Sequence, residues 1–72
     1  MRIEERISKA LKKVNNDRYI LSIAVGQRAN QLINGAKPLL DQNTLNMKYT
    51  DIAIDEIGLG LLEIEELIPK NG

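Results

Sequence analysis

The chain predicts an all-α domain, a compact bundle of three main helices with a short C-terminal one. Three observations carry that expectation. Apolar residues recur at helical spacing, as in Ile3, Ile7, Ala10, Leu11 and Val14. The breaks between such runs fall at Asn15-Asn16-Asp17, at Gly35 with Pro38, and at Gly58 with Gly60, residue types that open or close helices. With 72 residues a single domain is the only sensible count, with its core over residues 3–62 and an acidic segment over 63–72.

The first helix spans Ile3 to Val14 in one clean apolar stripe. Glu4 and Glu5 in its first turn and Lys12 and Lys13 in its last match the helix dipole, and Glu5 is one turn from Lys9. Asn15-Asn16-Asp17 favours a turn and an N-cap, so the second helix begins close to Asp17 and runs to about Asn34. Gly35 fits the left-handed position after a helix end, and Pro38 prevents continuation. Ala36 to Lys48 is a long, polar, irregular connection for so small a domain. A third helix follows from Thr50 or Asp51 to about Ile57, with Thr50 as N-cap and Ile52, Ala53, Ile54 and Ile57 on its apolar side. Gly58 and Gly60 end it. Leu61 to Ile68 suits a short acidic helix with Glu63, Glu65 and Glu66 facing water, and Pro69 to Gly72 reads as a frayed tail.

Composition narrows the chemistry. The chain has no Cys and no His, so neither a disulfide framework nor the usual soft metal site is expected, and no cofactor is implied. The only aromatic residues are Tyr19 and Tyr49, which leaves an aliphatic core. A core this small supplies only a few kcal/mol, and binding a partner is the remaining route to stability. Net charge is zero, which argues against independent nucleic-acid binding, although residues 1–40 carry +5 and residues 41–72 carry −5. No stretch approaches the ~18 apolar residues of a membrane span, and Met1-Arg2-Ile3-Glu4-Glu5 lacks the apolar centre of a signal peptide. A soluble, cytoplasmic protein is expected.

Catalysis finds little to work with. Ser-His and Cys-His arrangements are impossible, and Asp55-Glu56 or Glu63-Glu65-Glu66 are the solvated acids of helix faces. A helix-turn-helix reading meets a second helix that opens Tyr-Ile-Leu-Ser-Ile-Ala-Val, which does not suit base edges. That opening is the most distinctive feature of the chain. At about 100° per residue, Tyr19, Ile20, Leu21, Ile23, Ala24 and Val25 cover an arc of roughly 240°. Helices apolar to that extent are usually enclosed, and a chain this short has little material for the purpose.

The same stretch resembles the omega subunit family of bacterial RNA polymerase. Arg18-Tyr19-Ile20-Leu21 followed by Gln27-Arg28-Ala29-Asn30-Gln31-Leu32 is similar to that family's Arg-aromatic-x-Leu, then Lys/Arg-Arg-Ala-Arg-Gln-Leu. Asn34-Gly35-Ala36-Lys37-Pro38-Leu39-Leu40 resembles its next block, and Lys48 to Ile57 with Gly60 resembles a third. Together the blocks cover most of residues 10–62. The resemblance implies a non-catalytic subunit that wraps the largest subunit, beta-prime, and helps it fold and join the alpha2-beta-beta-prime-omega core. It implies beta-prime contacts by Arg18, Tyr19, Leu21, Ala24, Val25, Arg28, Ala29, Leu32, Lys37, Glu56 and Ile57, with Gly35, Pro38 and Gly60 as backbone devices. Arg28 falls between Leu21 and Ala24, inside the apolar arc, where an unpaired guanidinium is costly. Either beta-prime offers it a carboxylate or carbonyls, or it reaches water past Leu21.

Three departures mark this chain. Tyr49 stands where the family often has Pro. Gly58-Leu59-Gly60-Leu61 replaces a more charged turn, so Leu59 and Leu61 add apolar surface. Arg2-Ile3-Glu4-Glu5 stands where some members begin Ala-Arg-Val-Thr-Val, a start that helps bind a guanosine tetraphosphate alarmone; two acids repel a polyphosphate, and that site is not carried over. The rival reading is a small self-associating helical regulator that buries its apolar surface in a homodimer.

Overall fold

A computed structural model describes residues 3–68, with side chains from Glu5 onward. Arg2 and the tail from Pro69 to Gly72, on which expectations were placed above, lie outside the described residues, as do the side chains of Ile3 and Glu4. The described chain is helical throughout its regular structure: α1 (Ile3–Lys12), α2 (Arg18–Ile33), α3 (Tyr49–Gly58) and α4 (Ile64–Leu67).

The helix ends follow from local chemistry. After α1 the chain turns through Asn15 and Asn16, both left-handed at φ 54° and 61°, and the Asn16 N–H returns to the Leu11 carbonyl at 2.8 Å. Asn is one of the few residues with a side chain that visits this region routinely. Asp17 then caps α2, its Oδ1 accepting from the Tyr19 and Ile20 N–H groups at 2.9 and 3.2 Å. At the far end Ala36 N–H reaches the Gln31 carbonyl and Gly35 N–H the Leu32 carbonyl, a Schellman motif with Gly35 at φ 104°. The end of α3 repeats it, with Leu61 bonded to Glu56, Gly60 bonded to Ile57, and Gly60 at φ 72°.

Three boundaries differ from expectation: α1 stops at Lys12 rather than Val14, where the Lys13 and Val14 N–H groups tighten to i→i−3 bonds, and the other two are the start of α3 and the extent of α4. Thr50 does not cap α3. The helix begins at Tyr49, and Lys48 is the N-cap, with no side-chain cap hydrogen bond. The Ile52 N–H bonds to the Lys48 carbonyl at 3.0 Å, so the first turn closes one residue earlier than Thr50 would allow. The C-terminal helix is a single turn, and Leu61 and Leu62 precede it as irregular chain. Glu63, Glu65 and Glu66 are exposed as expected, but Asp55 is partly buried and Glu56 fully buried, so the acids of α3 are not the solvated pair expected, because they lie on the side of α3 that packs on its neighbours.

Packing is organised around α3, which lies against both α1 and α2, while α4 docks on α2 and α1 barely touches α2. Ala10, Leu11 and Val14 meet Leu21, Ala24, Ile57 and Leu67 in the main cluster, and Ala29, Leu32, Ile52 and Ala53 are buried as well. A Cβ at Gly58 would stand 3.2 Å from Lys9 Cβ, so the missing side chain lets α1 and α3 approach closely there. The molecule measures 37 × 27 × 16 Å.

Candidate functional site

Three residues of α2 and α3 and a strap after α2 form a polar knot around a buried ion pair. Arg28 and Glu56 are 6% and 0% exposed. Arg28 Nε donates to Glu56 Oε1 at 2.6 Å and Nη2 donates to Oε2 at 3.0 Å, the two-pronged geometry that makes guanidinium–carboxylate pairs strong. Nη2 also donates to the Lys37 carbonyl and Nη1 to Gln31 Oε1, each at 3.0 Å. The second Glu56 oxygen accepts the Leu39 N–H at 2.6 Å. Hydrogen bonding to Glu56 holds the Arg28 guanidinium above its ordinary value, outweighing the burial that pulls the other way. The knot pins Lys37 and Leu39 on either side of Pro38, and so fixes the course of the strap.

A second ion pair lies at the α1–α3 contact. Arg6 Nε stands 2.9 Å from Asp55 Oδ1, and Nη1 stands 3.8 Å from Asp51. The Nε–H points off the line to Asp55 and makes no hydrogen bond, so this contact is one of charge alone. Beside it runs a groove of about 210 Å³ lined by Arg6, Lys9, Leu40, Asp41 and Leu59, where two cations and two acids (Asp41 and Asp55) cancel. Glu5 and Lys9 are not paired among the described residues.

Apolar side chains are left in water around this frame. Tyr19 is 73% exposed, Ile33 61% and Leu45 88%, and Leu39, Tyr49, Leu59 and Leu61 are exposed too. Among the described residues no group of His, Cys, Asp or Glu is placed to hold a metal, and no helix is long and apolar enough to cross a membrane.

Comparison with known proteins gives the family of the chain. Residues 9–64 match the RNA polymerase Rpb6 family. The omega subunit of DNA-directed RNA polymerase from Nautilia profundicola is 52% identical over 67 residues, covering 93% of this chain and 100% of that one. That from Sulfurovum sp. is 52% identical over 64 residues, 89% of this chain and 94% of its own. That from Campylobacter jejuni is 49% identical over 70 residues, 97% and 95% respectively. This chain belongs to the omega subunit family of DNA-directed RNA polymerase. No solved structure matches it.

Within this omega-family chain the residues singled out from sequence fall into two sets. Leu21, Ala24, Arg28, Ala29, Leu32, Glu56 and Ile57 are buried by the chain itself, and Val25 is half-buried. Arg18 and Tyr19 are exposed, and the Lys37 side chain is exposed while its carbonyl serves Arg28. Gly35 and Gly60 stand at positive φ in the turns after α2 and α3, and Pro38 sits exposed between the two pinned residues. The expectation that Arg28 meets a foreign carboxylate or reaches water is corrected here. Its carboxylate is Glu56 of the same chain, and its fourth hydrogen bond is to the chain's own strap. The sequence held a signal for this. Glu56 lies four residues after Ile52 and next to Ile57, in the apolar phase of α3, as Arg28 does in α2. One acid and one base in two facing apolar stripes imply each other. Ile33 and Leu39 as exposed apolar residues were missed; nothing local distinguishes them from core.

Proposed function

We propose that this chain binds the beta-prime subunit of a bacterial RNA polymerase and promotes its folding and entry into the alpha2-beta-beta-prime-omega core, without itself taking part in nucleotidyl transfer. Family membership supports the polymerase, and one observation supports a docking role within it. A small helical domain, with its polar knot satisfied internally, still leaves more than half of Tyr19, Ile33 and Leu45 in water. In a subunit of a larger complex, such side chains are the ones that suit the buried centre of a contact with a neighbouring subunit. Such a subunit works by mass action, stabilising whatever conformation of its partner it fits. Zero net charge agrees with a chain that does not bind nucleic acid alone, and the cytoplasm is where such a complex works.

Of the sequence-derived contact set, Arg18, Tyr19 and Lys37 reach solvent and serve as direct contacts. Leu21, Ala24, Ala29, Leu32, Ile57 and the Arg28–Glu56 pair act one layer below, holding the contact surface in shape. The test is recovery of a tagged copy from its native cell with the co-purified chains identified by mass. Beta-prime with beta and alpha in stoichiometric amount is the expected result. Recovery of this chain alone, tagged with untagged, gives the surface to a homodimer instead.

A further inference from the structure

The outward side of α2 carries no charge beyond its first residue. Tyr19, Ser22, Gly26, Gln27, Asn30, Gln31 and Ile33 are its exposed residues beyond Arg18, and none is charged, in a chain that is 28% charged overall. At about 100° per residue, Ser22, Ile33, Gly26, Tyr19 and Asn30 fall within an arc of roughly 80°. Tyr19, Gly26 and Ile33 are spaced by seven residues, so two large apolar side chains bracket a glycine along one line. That glycine has no reason within the fold. A Cβ placed on it meets nothing within 4 Å, and its backbone is helical without a positive φ. A helix-interior glycine is the costliest choice there short of proline.

We infer that this face is the centre of the polymerase contact, and that Gly26 is the point where the partner's backbone lies closest to α2. The inference rests on the subunit reading above and adds to it the face, its chemistry and its midpoint. Loss of charge with retention of aromatic and aliphatic side chains is the composition of an interface centre rather than its rim. The occupant is an uncharged, apolar segment of a much larger chain, and not a second copy. The exposed strip of α2 is about 24 Å by 10 Å, roughly 240 Å². A self-paired contact through that strip falls far short of the ~800 Å² per partner of a stable complex. A large chain that seats on the strip and continues over other exposed apolar residues, such as Leu39 and Tyr49, meets that requirement.

The experiment co-expresses tag-free wild type and Gly26→Leu in the native cell, recovers polymerase through its beta-prime subunit, and reads the ratio of the two forms by intact mass. Gly26→Leu should be excluded about ten- to hundredfold, as overpacking of a close contact dictates. The free Gly26→Leu chain should melt about 4–8 °C above wild type, because leucine is the better helix former and its Cβ has open space. Gly26→Ala, with a smaller side chain, should be excluded less, while raising the melting point of the free chain at least as much, alanine being the best helix former. Equal incorporation of Gly26→Leu and wild type overturns the inference while leaving the subunit reading intact. Absence of wild type from the recovered polymerase overturns both. A concentration-dependent dimer of the free wild-type chain that Gly26→Leu dissociates overturns it as well, by assigning the face to a second copy.

Discussion

Replacing Glu56 by alanine is the sharpest test of the buried knot. The carboxylate accepts from Arg28 Nε and Nη2 and from the Leu39 N–H, at 2.6, 3.0 and 2.6 Å, with no water-accessible surface of its own. Deleting one partner of a buried ion pair costs about 3–5 kcal/mol, because the other charge stays behind uncompensated. Stranding the Leu39 amide adds roughly 1 kcal/mol. A domain of this size has a total stability of only about 4–11 kcal/mol. The loss therefore takes a third of the stability at the least, and unfolds the chain at the worst. Thermal melts followed by helical circular dichroism should show a midpoint fall of more than about 15 °C, at 4–8 °C per kcal/mol for small domains. Pairing Glu56→Leu with Arg28→Met removes both charges, so it should recover most of the loss and remain short by about 2 kcal/mol for the unmet Leu39 amide and Lys37 carbonyl. A Glu56→Ala midpoint within about 4 °C of wild type would refute the reasoning, since the pair would then be worth no more than an exposed one.

Other consequences are smaller. Asp17→Ala removes the cap on α2 and should cost about 1 kcal/mol, seen as a midpoint lower by about 4–8 °C. Gly35→Ala forces a side chain into φ 104° and should cost at least about 1 kcal/mol in urea titrations, while the Schellman bonds keep the turn from relaxing. Arg28→Lys keeps the charge but loses the planar fork that holds the Lys37 carbonyl and Glu56, so the Leu39 amide proton should exchange faster, and stability should fall by about 1–3 kcal/mol. Because pairing raises the Arg28 value, its contribution is fully present below the unfolded guanidinium value and is lost only as pH rises through the still higher folded one. Arg28 thus adds no slope to stability between about pH 6 and 9. A midpoint loss over that range that vanishes in Arg28→Lys would contradict it.

Much of the fold was legible because its punctuation is local. Asp17 caps through residues two and three positions on, and Gly35 and Gly60 act through their own φ, so the ends of α2 and α3 could be read from single residues. The start of α3 could not, because burial of Ile52 and Ala53 sets its phase and overrides the capping preference of Thr50. The site divided in the same way. An apolar arc of about 240° says that α2 is covered, but not by which chain. The structure shows α3 and α4 covering the Leu21–Ala24–Leu32 side and leaving Tyr19 outside, a division that depends on contacts tens of residues away. Arg28 announced a buried charge. Its partner sits 28 residues along the chain, across a strap whose path no local rule prescribes.

The order of synthesis gives that separation a consequence. Ribosomes add about 5–20 residues per second, so Glu56 follows Arg28 by about 1–6 s, whereas a helix such as α2 forms in about a microsecond. During that interval α2 can coil, but its guanidinium has no carboxylate and the Leu39 amide no acceptor. The strap takes its final course only after residue 56 is in place, and one late carboxylate then closes two loops at once, of 28 and 17 residues.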